Sequence, residues 1–146
     1  MNERNHPASR IQKFTSENKE LFEIHIQITR EITSKDDDTT IVRVYFTGNC
    51  NSPLFHGKIE QEGCDTQKYY PDGSCNIRAE YTLVGMDSEN DACCLYIVNQ
   101  KKGNAWKPSI RTDSKALSWL NDCTFTAELE HYTGGLTVRI FLDDAK

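Results

Sequence analysis

A strict two-residue alternation of apolar and polar side chains constrains this sequence more than any other feature. In the segment LFEIHIQI, the residues from Phe22 to Ile28 alternate between an apolar and a polar side chain. Because successive side chains of a β-strand point to opposite faces, this pattern predicts a strand with one buried face. The alternation returns with Val42, Val44 and Phe46 after the polar turn TSKDDDTT, which predicts a hairpin.

Most of the remaining chain repeats this pattern. The turn-forming groups PDGS, DSENDA and TGG separate further alternating segments, namely CNIRAEYTLVG, CCLYIVN, CTFTAELEHY and LTVRIFLD. The segment KIEQEGCDTQKYY indicates two short extended pieces that are broken at Gly63, and QKKGNAWKP is typical of a loop. The segment TDSKALSWLND differs from the rest, because it predicts one short helical turn near residues 114–121, capped by Asp113 or Ser114.

Seven to nine short strands with short connections, and without alternating helices, predict an all-β fold. We predict an antiparallel up-and-down β-barrel of about eight strands, because closing the sheet removes exposed strand edges. A β-sandwich is the alternative. Residues 1–19 are polar and show no period, so they predict an N-terminal tail or lead-in. The length of 146 residues fits a single barrel domain over residues 20–146.

Composition and missing motifs argue against several classes of function. The net charge of −5 argues against a nucleic-acid partner, since phosphate binding needs a basic surface. The first residues form no apolar signal segment and no run is long enough to span a membrane, so we predict a cytoplasmic protein with reduced thiols. The six cysteines show no Cys-x-x-Cys spacing and the four histidines are scattered, so we predict no metal site and no cofactor.

Polar side chains cluster on both sides of the PDGS turn. A hairpin register that is symmetric about Asp72–Gly73 would bring Asp65 and Gln67 close to Arg78 and Glu80. Such a cluster is either the rim of a site or a solvated ladder of cross-strand pairs, in which Arg78 simply pairs with Glu80.

The candidate ligand-binding residues are Asp65, Gln67, Arg78, Tyr81 and Asn99. Asp65 follows the break at Gly63, where an irregular strand can aim a side chain toward a barrel mouth; the alternative is a bond to local turn amides. Tyr81 lies on the apolar face and suits either the core or a pocket wall with a polar group. The guanidinium of Arg78 matches the shape of a ligand carboxylate, and Asn99 is otherwise a turn residue.

Several segments together resemble a known family. The segments GCDTQ, AEYTLVGMD, LYIVNQ, KPSIRTDSKALSWLND and GGLTVRIF, in this order and spacing, resemble the domain of unknown function family numbered 3237, from about Ile41 to Phe141. The resemblance implies a small bacterial protein with a lipocalin-like or allene-oxide-cyclase-like barrel. The family places an arginine directly before the tyrosine of the strand, whereas this chain has Glu80 there. The matching positions are Asp65, Gln67, Tyr81, Asn99, Asp113, Trp119 and Leu120.

The barrel pattern and the resemblance predict a protein that binds a small, largely apolar ligand inside the barrel. Two alternatives stay open. One is a cofactor-independent isomerase, cyclase or hydrolase in the same cavity, with Asp65 as the acid or base and Tyr81 as an orienting donor. The other is an interaction protein without a pocket, for which a homodimer through an outward sheet face is the simplest form. The sequence has no Gly-x-Ser-x-Gly nucleophile motif and identifies no reaction.

Overall fold

Nine β-strands and one 3-10 helical turn make up most of the computed structural model, which describes residues 20–143. The strands are β1 (Glu20–Lys35), β2 (Thr40–Asn51), β3 (Phe55–Ile59), β4 (Gly63–Tyr69), β5 (Cys75–Asp87), β6 (Ala92–Lys102), β7 (Ala105–Thr112), β8 (Phe125–Tyr132) and β9 (Gly135–Leu142). The 3-10 turn covers Ser118–Asp122. The predicted all-β class with one short helical turn is therefore confirmed. The predicted tail, residues 1–19, lies outside the described residues.

The ladder of backbone hydrogen bonds closes on itself. Strand β1 pairs antiparallel with β2 on one side and with β9 on the other, and the strands from β4 to β9 each pair with the next along the chain. Strands β3 and β4 both lie between β2 and β5, so they share one position in the wall. The predicted antiparallel barrel of eight strand positions is thereby confirmed. A barrel of this size is either filled by side chains or holds one small ligand.

The break between β3 and β4 follows from local geometry. Gln61 adopts a left-handed conformation with φ of 57°, and Gly63 begins β4 directly beside two aromatic rings. A Cβ atom at Gly63 would lie 2.3 Å from the Phe46 ring and 2.8 Å from the Tyr81 Cβ atom. A side chain at Gly63 would displace the Phe46 ring and the base of the Tyr81 side chain, so packing explains the glycine; the chain itself turns just before it, at Gln61.

One end of the barrel is filled. The connections β2–β3 and β5–β6 and the 3-10 turn meet there, and its large buried side chains include Leu54, Phe55, Leu117, Leu120 and Phe125. The buried side chain of Asp87 joins two of these connections, because it accepts a hydrogen bond of 2.7 Å from the Ser114 hydroxyl. Ser114 Oγ also accepts a bond of 3.0 Å from the Leu117 N–H, which orders the residues that lead into the 3-10 turn; no side-chain hydrogen bond caps the turn itself at Leu117.

The opposite end is open and asymmetric. Strand β1 pairs with β9 only as far as Gln27, but its pairing with β2 continues to Lys35. The β4–β5 hairpin runs alongside this extension, and β2 pairs with β4 up to Thr40. Four strands therefore project past the rim on one side, while the β6–β7 and β8–β9 turns end near it on the other. Within residues 20–143, no helix is long and apolar enough to cross a membrane.

Candidate functional site

A cavity of about 370 Å³ opens at the unfilled end of the barrel. All eight strand positions contribute to its wall, which is mostly apolar. The lining residues are Ile26, Ile28, Val44, Phe46, Ile77, Ala79, Trp106, Leu129, Leu136 and Val138, with the polar residues Asp65, Gln67, Tyr81, Asn99 and His131. A concave apolar wall with a few polar groups is the usual composition of a small-molecule site.

Three of these residues lie in one row across adjacent strands. Asp65 of β4 is directly opposite Ala79 of β5, and Ala79 is directly opposite Asn99 of β6. Because neighbouring strands are about 4.8 Å apart, the Cα atoms of Asp65 and Asn99 are separated by roughly 10 Å. Only the methyl group of Ala79 lies between the two polar side chains. The small residue in the middle leaves space that a larger side chain would occupy.

Three buried oxygen atoms on the cavity wall have no hydrogen-bond partner among the described residues. They are Asp65 Oδ1, Tyr81 OH and Asn99 Oδ1, and we call them the oxygen cluster. Tyr81 is 4% exposed and Asn99 is 3% exposed. Nearly all buried polar atoms in folded proteins are hydrogen-bonded, and leaving one unpaired costs about 1–3 kcal/mol. The oxygen cluster therefore marks the part of the cavity lining where the described chain leaves polar atoms unsatisfied.

The carboxyl group of Asp65 is held from one side only. The Gln67 amide donates to Asp65 Oδ2 at 3.0 Å, and the Tyr69 hydroxyl donates to Gln67 Oε1 at 2.7 Å. Burial raises the pKa of Asp65, and the hydrogen bond from Gln67 offsets part of that rise. The alternative of a bond to local backbone amides is not what the structure shows, because Oδ2 accepts from the Gln67 side chain and Oδ1 has no partner among the described residues.

Tyr81 lies below this row, toward the filled end of the barrel. Its ring packs edge-on against Phe46, with 5.6 Å between ring centroids and 77° between ring planes. Burial raises the pKa of the Tyr81 phenol far above neutral pH. The hydroxyl therefore stays protonated and can both donate and accept a hydrogen bond.

The structure does not bring Arg78 to the cavity, and the hairpin register predicted for it is wrong by one residue. Arg78 pairs with Thr66 on the outer face, and its Nη1 donates to Glu80 Oε1 at 2.8 Å. The turn between Tyr70 and Ser74 contains three residues and includes Gly73 at φ of 89°. An odd number of turn residues centres the ladder on a single residue, so Asp65 and Gln67 face inward while Arg78 faces outward.

The segment predicted as a loop, QKKGNAWKP, is instead a tight hairpin that places Trp106 on the cavity wall. Strand β7 was not predicted because its alternation of apolar and polar residues is obscured by several lysines and by Pro108. Proline has no N–H to donate to a ladder of backbone hydrogen bonds. His131 was also missed as a lining residue. It continues the inward parity of Ala127 and Leu129, so its position was available from the periodicity.

The described part of the chain contains no group of three or more His, Cys, Asp or Glu side chains that could hold a metal ion. All six cysteines are free. Burial raises the pKa of the Cys50 and Cys93 thiols to about 11, so neither is a thiolate at neutral pH. The chemistry of the cavity is therefore that of its carboxyl, amide, phenol and imidazole groups.

Comparison with known proteins identifies the fold and no family. No protein-family model and no curated protein matches this chain. A protein of unknown function from Clostridium acetobutylicum is 20% identical with a TM-score of 0.67, over 84% of this chain and 96% of that one. A β-barrel-like protein from Acinetobacter baumannii is 13% identical with a TM-score of 0.68, over 85% and 93%. An enzyme from Penicillium herquei is 17% identical with a TM-score of 0.58, over 83% and 91%.

Proposed function

We propose that this barrel binds a small, largely apolar molecule in the cavity at its open end. The observation that carries the proposal is the oxygen cluster, three unpaired polar atoms on an otherwise apolar wall. A barrel whose interior served stability alone would gain by replacing these polar groups with apolar ones. The volume of about 370 Å³ falls within the range of small-molecule pockets, roughly 300–1,000 Å³.

Binding of a neutral fluorescent probe tests this proposal. N-phenyl-1-naphthylamine brightens when it leaves water, and we expect saturable binding of one molecule per chain. Ala79→Leu places a larger side chain between Asp65 and Asn99 and should abolish this binding. The matched control is Ala92→Leu, because Ala92 is exposed at the filled end of the barrel. Circular dichroism verifies that both variants fold. Absence of saturable binding, or equal binding by Ala79→Leu, would overturn the proposal.

Native mass spectrometry identifies what the cavity holds in the cell. Protein purified under gentle conditions is compared with the same sample after denaturation. A molecule that co-purifies with the wild-type protein and the Ala92→Leu control, but not with Ala79→Leu, occupies this cavity.

A second candidate function is proton transfer on the bound molecule, with Asp65 as the acid or base. It is favoured by the partly buried carboxyl group, whose pKa burial raises and whose Oδ1 atom has no partner in the described chain. The barrel of the Penicillium herquei enzyme supports it by likeness of fold. Incubating the co-purified molecule with protein in D₂O tests it. Deuterium incorporation with the wild-type protein and not with Asp65→Asn supports catalysis, whereas equal incorporation removes Asp65 from that role.

Three further predictions remain proposals. The order of the matching segments and the barrel fold support membership in the family numbered 3237. A cytoplasmic location is a proposal that fractionation of cells would test. A homodimer is a proposal that light scattering in solution would test, with a monomeric mass as the contrary result.

A further inference from the structure

The charged side chains around the cavity restrict the charge of the molecule that binds there. This inference rests on the proposed binding function. Asp65 is the one acidic side chain among the described lining residues; none of these residues is a lysine or arginine, and the one histidine, His131, is exposed next to the β8–β9 turn. Arg78, the nearest candidate cation in sequence, faces outward and pairs with Glu80. An anionic ligand would meet the Asp65 carboxyl group without a compensating lysine or arginine on the described wall. The electrostatics therefore favour a neutral or cationic molecule.

The atoms of the oxygen cluster are hydrogen-bond acceptors. The carboxylate oxygen of Asp65 and the amide oxygen of Asn99 accept only, and the Tyr81 hydroxyl can accept as well as donate. The Gln67 amide nitrogen already donates to Asp65 Oδ2. The cluster thus needs donors from the ligand. A ligand hydroxyl has one proton and satisfies one acceptor, whereas a primary ammonium group has three N–H donors.

The spacing of the row fits a single nitrogen atom. Asp65 and Asn99 lie in the same row on either side of Ala79 and both line the cavity, with roughly 10 Å between their Cα atoms. Each side chain reaches partway across this distance. A nitrogen atom placed between the two side chains would donate to both, and its third N–H would remain for Tyr81, one step deeper on the same face of β5. The apolar wall above then surrounds the rest of the molecule.

We infer that the cavity binds an apolar primary amine, with its ammonium group between Asp65, Tyr81 and Asn99 and its apolar body against the surrounding strands. An ammonium beside a carboxylate in a mostly apolar cavity forms charge-assisted hydrogen bonds, which are about twice as strong as neutral ones. The ligand completes the hydrogen bonding of all three buried oxygens at once. No other single functional group among amines, alcohols and acids supplies three donors and a positive charge.

Four ligands with the same phenylbutyl body separate the contributions. They are 4-phenylbutylamine, 4-phenylbutan-1-ol, 4-phenylbutanoic acid and the N,N,N-trimethyl derivative of the amine, which keeps the charge and loses every N–H donor. Isothermal titration calorimetry at pH 7.5 gives each dissociation constant. We expect the amine to bind roughly tenfold or more tightly than the alcohol and the trimethyl derivative, and the acid to bind most weakly.

Variants locate the amine. Asp65→Asn should weaken amine binding roughly tenfold or more and leave alcohol binding nearly unchanged. Glu80→Gln is the matched control, because it removes an outward carboxyl group of the adjacent strand and should change neither. Equal or tighter binding of the alcohol or acid, or amine binding unaffected by Asp65→Asn, would overturn the amine inference and leave the binding function intact. If the fluorescent probe and all four ligands fail to bind, both the inference and the proposed function fall.

Discussion

Removing the hydroxyl group of Tyr81 should stabilise the ligand-free protein. Tyr81 is 4% exposed and its hydroxyl has no hydrogen-bond partner among the described residues. A buried hydroxyl without a partner costs about 1–3 kcal/mol, while the ring keeps its edge-on contact with Phe46 in the Tyr81→Phe variant. The space left by the removed oxygen atom reduces the gain. We therefore expect the free energy of unfolding to rise by about 1 kcal/mol, the lower end of that range.

Chemical denaturation at pH 7 measures this change, and thermal unfolding should show an increase in Tm of about 3 °C. The control is Tyr69→Phe, which removes a hydroxyl that donates to Gln67 Oε1 at 2.7 Å near the surface. This variant should lose about 0.5–1 kcal/mol, because it breaks a formed hydrogen bond. Each substitution removes one phenol oxygen, and the two changes in the free energy of unfolding should have opposite signs.

A loss of 0.5 kcal/mol or more in Tyr81→Phe would refute the reasoning, because it would show that the hydroxyl is already satisfied in the ligand-free protein. The same variant should bind the proposed ligand more weakly than the wild-type protein. Greater stability together with weaker binding is the trade-off expected where a site keeps unpaired groups for a ligand.

Three other substitutions test separate parts of the structure. Because burial raises the folded-state pKa of Asp65, stability falls as pH rises from its unfolded pKa, about 3.9, through the folded value. Asp65→Asn should remove that loss and stabilise the protein at pH 7, and an unchanged pH profile of denaturation would contradict this. Gly63→Ala should cost about 1–3 kcal/mol in the same assay, since its Cβ would lie 2.3 Å from the Phe46 ring; a neutral effect would contradict the packing account. Ser114→Ala should cost about 1–3 kcal/mol by removing a donor from buried Asp87; because the folded-state pKa of Asp87 is lowered, this loss should shrink as pH falls below the usual range of an aspartate toward that pKa.

The alternation of side chains predicts the strands and their inward faces well, because a strand that borders a packed interior must be apolar at every second position. The residues predicted to point inward do lie in the core or on the cavity wall in three segments, Phe22–Ile28, Ile77–Leu83 and Leu136–Leu142. The same parity places Tyr81 on the inner wall. These features depend only on local periodicity, which the sequence displays directly.

The register of the β4–β5 hairpin and the presence of strand β7 depend on features other than the alternation of side chains. Whether Asp65 lies opposite Ala79 or Glu80 is decided by one residue in the turn after Tyr70, and the PDGS segment is compatible with either count. Strand β7 was missed because Pro108 interrupts its pattern. The position of Trp106 on the cavity wall was therefore not predicted from the sequence.

Two carboxyl groups in this barrel show why Asp65 is assigned to function and Asp87 to structure. Asp87 is 2% exposed and receives hydrogen bonds from the Ser114 hydroxyl and from the N–H groups of Glu89 and Asp91. Burial by itself would raise the pKa of Asp87, but these donors outweigh it and lower the pKa. Asp65 receives one donor, from Gln67, and its pKa is raised. The fold can surround a carboxylate with donors where the group is structural. Asp65 belongs to the lining of the open cavity, where a bound molecule would supply the donors that the chain does not.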